Sequence, residues 1–132
     1  MFTGINHIGL VVRDIEPWVE FLTKAFGMHE TRRLDFLEMG QRSCLMAFGD
    51  QEAFELMMPL NEDGVVGKYL ERFGEGIHHI SLKTSNINSD AARLTEIGIK
   101  VFGETVVEGQ QMAFVHPKTS LGILYELAEQ NN

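Results

Sequence analysis

Apolar residues along the chain recur in two rhythms, and the switches between them mark the elements. Residues 5–12 are β-branched and apolar with a polar break at His7, the signature of a half-buried strand. The period then lengthens: Trp18, Phe21, Leu22, Ala25 and Phe26 recur at helical spacing. Asp14 stands where a helix N-cap belongs, and Pro17 falls in the first turn, where its missing N–H is harmless. Gly27 stops the helix. Three further strands are predicted over 28–35, 42–48 and 53–58, separated by turns at Gly40 and at Gly49 and Asp50. The order is β-α-β-β-β.

This module occurs twice. His7, Ile8, Leu10, Ile15 and Leu22 return as His79, Ile80, Leu82, Ile87 and Leu94, all at an offset of 72. One residue then drops out, and Gly27 matches Gly98, and Glu55 and Leu56 match Glu126 and Leu127, at 71. Two copies are too few for a solenoid, so the chain reads as a duplication. The second copy predicts a strand over 77–84, a helix over 88–97 and strands over 99–105, 111–115 and 122–127. Between the copies, Val65, Val66, Tyr69, Leu70 and Phe73 predict a short amphipathic helix. The expected organisation is one domain over 1–132, with module 1 about 1–60, a connecting helix about 61–74 and module 2 about 75–129.

The repeat changes how four polar residues are read. His7 and His79 interrupt the first strand of each module, and Glu55 and Glu126 the last. Taken singly, a strand histidine is usually satisfied or at the surface, and a strand glutamate usually faces water. Taken as two pairs related by the duplication, they point to a shared purpose, because burying an imidazole or carboxylate is costly unless it is paired or metal-bound. If the modules pack about a pseudo-twofold axis, the four side chains converge. Two imidazoles and two carboxylates suit one divalent ion (Mn, Co, Ni, Fe or Zn) with two positions left open for water or substrate.

Composition narrows the partners. The 132 residues carry 11 Lys and Arg against 19 Asp and Glu, a net charge of −8, which offers no footprint for nucleic acid or an anionic membrane. A single cysteine, Cys44, excludes an intrachain disulfide and a cysteine-built zinc site. No apolar run approaches 18 residues and the start of the chain lacks a leader pattern, so a cytoplasmic protein is expected.

The strings INHIGLVVRDIE, ELMMPLNEDGVVGKYLERFGEGIHHISL and AFVHPKTSLGILYEL resemble the vicinal oxygen chelate superfamily, which includes glyoxalase I, extradiol dioxygenases and fosfomycin resistance proteins. Within it they are most similar to the methylmalonyl-CoA epimerase family, over nearly the whole chain. The resemblance implies an α+β fold in which two paired β-α-β-β-β modules form a curled mixed sheet around a metal-binding cleft. It implies His7, Glu55, His79 and Glu126 as metal ligands. It alone singles out Glu38, which matches an epimerase acid/base glutamate. The implied activity is epimerisation of methylmalonyl-CoA, or a related acyl-CoA thioester, through a metal-stabilised enolate, with Glu38 and Glu126 as opposed bases. A homodimer is implied too.

Two departures from the epimerase pattern stand out. Residues 107–111 are shorter than the usual glycine-rich loop, and the approach to Glu55 from Gly49 is one residue longer than usual. If that residue lies in the strand, the register of Glu55 is at stake. A glyoxalase I-like lyase or isomerase and a non-catalytic, resistance-type binding protein are the alternatives. His29 and Cys44 are read as structural, His78 as structural or solvent-facing, His116, Pro117 and Lys118 as a turn in which Lys118 is equally a candidate contact to a CoA phosphate, Trp18 as helix packing, and the methionines as core filler.

Overall fold

A computed structural model describes residues 1–130. Its elements follow the predicted order: β1 (Phe2–Val11), α1 (Ile15–Phe26), β2 (His29–Phe36), β3 (Gln41–Phe48), β4 (Gln51–Pro59), α2 (Val65–Phe73), β5 (Gly76–Thr84), α3 (Ile87–Glu96), β6 (Val101–Val107), β7 (Gln110–Val115) and β8 (Tyr125–Glu129). The fold is α+β, and the β-α-β-β-β module occurs twice.

Local chemistry explains the boundaries. The Asp14 side chain accepts the Glu16 N–H, and Gly27 ends α1 in the left-handed region at φ 71°, as the sequence predicts. In the second module Asn86 caps α3 by accepting the Ser89 N–H, a cap that the sequence reading missed by starting the helix one residue late. The connecting helix begins at Val65, later than expected, because the Asn61 side chain takes the N–H groups of Asp63 and Gly64 and holds that stretch as a turn. Gly64 is required there: a Cβ on it would lie 2.3 Å from the Met39 carbonyl oxygen. The last strand also begins late. A short 3-10 turn at Pro117–Thr119 and the Ser120 hydroxyl, which donates to the Ile123 carbonyl, divert the chain before Tyr125.

The chain divides into two compact units, His7–His78 and Met1–Asn6 together with the chain from His79 onward. The divisions fall inside β1 and β5, immediately before His7 and immediately before His79. In the first unit the strands run β2-β3-β4-β1, with β1 and β4 parallel and the rest antiparallel. Leu10, Val12, Cys44, Met46 and Leu56 on one sheet face pack with Ile15 and Leu22 of α1 and with Met28, the main core of the unit. On the other face, Val66 of α2 covers Val11 and Met57. In the second unit the order is β5-β8-β7-β6 with the same senses. There Ile87 and Leu94 of α3 pack on Ala113, Val115 and Leu127.

The segment before Glu55 carries one unpaired residue, and it lies in the strand, not the turn. Met46 pairs with Phe54 and Ala47 with Glu52, which leaves Ala53 as a bulge on β4. Beyond it the ladder is regular, and Glu55 pairs with Leu45 on one side and Gly9 on the other. With the bulge confined to Ala53, Glu55 lies on the sheet face opposite the α1 core.

Candidate metal centre

Alternation decides where the polar residues point. In the first unit Leu10, Val12, Leu56 and Cys44 face the α1 core, so the interleaved His7, Ser43 and Glu55 share the opposite face. At the end of this face away from α2, His7 Nε2 lies 3.3 Å from Glu55 Oε1. Glu55 Oε2 accepts the Ser43 hydroxyl at 2.8 Å, and Ser43 Oγ accepts the Gln41 side-chain N–H at 2.9 Å. Gln41 and Ser43 are both buried.

The second unit repeats the pairing. His79 Nε2 lies 3.8 Å from Glu126 Oε2, and Glu126 Oε1 accepts the Ser81 hydroxyl at 2.8 Å. Ser81 Oγ in turn accepts from the Asn6 amide at 3.5 Å. The register is duplicated as well: Glu55 pairs across the parallel ladder with Gly9, two residues after His7, and Glu126 with Ser81, two residues after His79. The second pair is the drier one, its side chains 4 % and 6 % exposed against 12 % and 15 % in the first. Each unit thus offers one imidazole and one carboxylate held against each other, the donor types a divalent ion of intermediate hardness takes. A buried carboxylate such as Glu126 fits a cation on electrostatic grounds.

Glu38, the remaining predicted site residue, is exposed on the short 3-10 turn Leu37–Met39 between β2 and β3. His78, one residue before a predicted ligand, is half-buried and meets the Tyr69 ring edge-on, with centroids 4.9 Å apart. Burial pulls its imidazole below the ordinary value, against the opposing pull of the Glu55 charge. Cys44 is fully buried, and its thiol is pushed up to about 11, chiefly by that burial, in keeping with a structural role. Trp18 packs beside the first core as expected, and its indole N–H also donates to Glu75 Oε2 at 3.0 Å, tying α1 to the segment that leads into β5. Met28, Met46 and Met57 fill core positions, whereas Met39 is exposed on the turn that carries Glu38.

Gln41, Ser43, Asn6 and Ser81 are the site residues that the sequence reading missed. A serine alternates in a strand in the same way whether its hydroxyl meets water or a carboxylate. The available signal was their parity with the ligands: Ser43 sits two residues from Leu45, the partner of Glu55, and Ser81 sits two residues after His79.

The family model described as the Glyoxalase/Bleomycin resistance protein/Dioxygenase superfamily matches residues 6–115. The chain belongs to this superfamily. Among curated relatives, human mitochondrial methylmalonyl-CoA epimerase is 28 % identical over 129 residues, covering 95 % of this chain and 73 % of the relative. The ethylmalonyl-CoA/methylmalonyl-CoA epimerase of Cereibacter sphaeroides is 28 % identical over 134 residues, with 98 % and 99 % covered. Among solved structures, a variant of Streptomyces coelicolor methylmalonyl-CoA epimerase in complex with 2-nitronate-propionyl-CoA superposes with a TM-score of 0.90. That match is at 31 % identity and covers 100 % of both chains. Within the superfamily, the chain is most like the methylmalonyl-CoA epimerases.

Proposed function

We propose that the chain is a divalent-metal-dependent epimerase of methylmalonyl-CoA or a closely related 2-substituted acyl-CoA. The reading takes the two pairs, His7 with Glu55 and His79 with Glu126, as the donors for one ion. The observation that carries the reading is the repeated imidazole–carboxylate pair, at equivalent register positions in both modules. Similarity over the full chain to epimerases, one of them solved with an acyl-CoA analogue, supports the choice of substrate.

The reaction asks for removal of the proton between two carbonyl groups and its return on the opposite face. A bound divalent ion supplies Lewis-acid stabilisation of the negative charge that develops on the thioester oxygen. The chain's own part is proton transfer. Glu126 and Glu38 are the two bases, one accepting the α-proton and the other, as its carboxylic acid, delivering a proton to the opposite face. Burial and the Ser81 hydroxyl orient Glu126. Glu38 stands on a turn that a substrate can reach from solvent.

One specific observation favours a second reading. The loop between β6 and β7 is cut to a two-residue turn at Glu108 and Gly109, both with positive φ, where the epimerase pattern is longer. A glyoxalase I-like isomerase acting on a thiol adduct would use the same donors. Incubating metal-loaded protein with methylmalonyl-CoA in D2O and following the α-proton by NMR separates the two. Exchange into both epimers supports the epimerase, and no exchange sinks it in favour of the glyoxalase-like activity. No helix among the described residues is long and apolar enough to cross a membrane. The reading further carries a cytoplasmic homodimer, which sedimentation at micromolar concentration tests for its oligomeric part.

A further inference from the structure

We propose that Ser43 and Ser81 are positioning residues that confine the Glu55 and Glu126 carboxylates to one-oxygen coordination and so keep two positions on the ion open. The proposal rests on the metal-dependent reading above.

In the first unit the fully buried Ser43 donates to Glu55 Oε2, while the Gln41 amide donates to Ser43 Oγ. With the amide N–H on its oxygen, the serine's own proton is directed at the carboxylate. The oxygen that serine does not hold, Oε1, is the one that faces His7. In the second unit the fully buried Ser81 donates to Glu126 Oε1, the Asn6 amide donates to Ser81 Oγ, and the other oxygen, Oε2, faces His79. The order amide, hydroxyl, carboxylate, imidazole therefore occurs in both units.

Duplication alone does not produce this match. Ser43 lies on the third strand of its module, opposite Met57, whereas Ser81 lies on the first strand of its own, at the position that Gly9 holds in the other copy. Two non-equivalent positions supply the same contact to equivalent glutamates.

Counting ligands gives the contact a purpose. A six-coordinate ion that took both oxygens of both glutamates and two imidazoles would be saturated, with no room for substrate. A hydroxyl donor on one oxygen occupies a lone pair, lowers that oxygen's basicity and steers the ion to the other. Hydrogen bonds of this kind to metal ligands typically change affinity by about 10–100-fold.

Mn(II) is the probe, titrated by electron paramagnetic resonance into wild type, Ser43→Ala, Ser81→Ala, the double alanine variant, and Ser43→Thr and Ser81→Thr. Water-proton relaxation per bound ion counts the open positions. Each alanine variant is expected to bind Mn(II) about 10–100-fold more weakly. The double variant is expected to show lower relaxation per bound ion, as second carboxylate oxygens displace water. The threonine variants, which keep the hydroxyl, should restore both. If circular dichroism finds an alanine variant unfolded, the cysteine variant at that position is measured in its place, since it keeps the volume with a weaker donor. Wild-type affinity and relaxation in folded alanine variants would overturn the positioning role while leaving the metal reading intact. A wild type that binds no Mn(II), with His79→Ala indistinguishable from it, would overturn the metal reading and this proposal with it.

Discussion

Deleting Ala53 is the sharpest test of how the ligand strand is held. Two outcomes compete. The ladder can close over the lost bulge, keeping Glu55 opposite Leu45 and Gly9, or β4 can slip by one residue. Slippage would turn Leu56, which is wholly buried, and the partly buried Phe54 and Met58 out of the α1 core. Losing those three costs about 4–7 kcal/mol. It would also drive the Glu55 carboxylate into that core, for several kcal/mol more. The sum approaches the whole stability of an ordinary domain, about 5–15 kcal/mol. Closing the bulge disturbs only contacts beside it. Glu52 accepts from the Thr31 hydroxyl at 2.6 Å and from Arg32 Nε at 3.0 Å, both largely exposed. Exposed contacts of that type are worth about 0.2–1 kcal/mol each, or roughly 1–2 kcal/mol together. The deletion variant should therefore melt about 4–8 °C lower than wild type and bind the same number of divalent ions per chain. Calorimetry gives the first quantity and equilibrium dialysis followed by metal analysis the second. A folded variant that has lost its metal would refute the reasoning, because the bulge itself would then be what aims Glu55.

Three further outcomes follow from the geometry. Glu38→Gln should keep wild-type metal content yet epimerise about a hundredfold or more slowly, because one of two opposed bases is gone; chiral analysis of the acyl-CoA product is the check, and wild-type turnover would remove Glu38 from the mechanism. Cys44 should resist a thiol reagent at pH 8 and react fully once denaturant is added, since burial holds the thiol both inaccessible and protonated. Glu75 is held below the usual carboxylate range by the Arg13 backbone N–H first and the Trp18 indole second. A depressed folded-state value contributes stability that is present above the unfolded value and lost as pH falls through the folded one. Glu75→Ala should accordingly melt a degree or two below wild type at pH 7, and the charge-dependent part of that gap should shrink once the pH drops below about 4; melts across pH 3–7 read it.

Much of the architecture could be read from residues alone, for a specific reason. Local interactions set Asp14 and Gly27 at the ends of α1, and a cap or a left-handed glycine has the same meaning wherever the rest of the chain goes. The duplication then doubled a weak signal. One histidine or one glutamate in a strand says little, but His7 with His79 and Glu55 with Glu126, at matched offsets, mark a pattern that solvent exposure alone does not produce. Glu38 became visible only through family resemblance, because nothing about an exposed glutamate on a short turn distinguishes it locally.

The tertiary structure decided what depends on neighbours distant in sequence. Whether the extra residue before Glu55 entered the turn or the strand was open until β1 and β3 paired with β4 on both sides, for only those two ladders make a slip cost more than a bulge at Ala53. The start of β8 at Tyr125 was likewise set by hydrogen bonds that turn the chain after His116. Above all, the partners of the two glutamates came from outside their own strands, Ser43 on β3 and Ser81 on β5, and the amides that back those serines are Gln41 on β3 and Asn6 on β1. A strand sequence states which face a side chain takes, because alternation is local. It does not state which donor waits on that face, because strand pairing brings Ser81 to Glu126 from 45 residues away and Asn6 to Ser81 from 75.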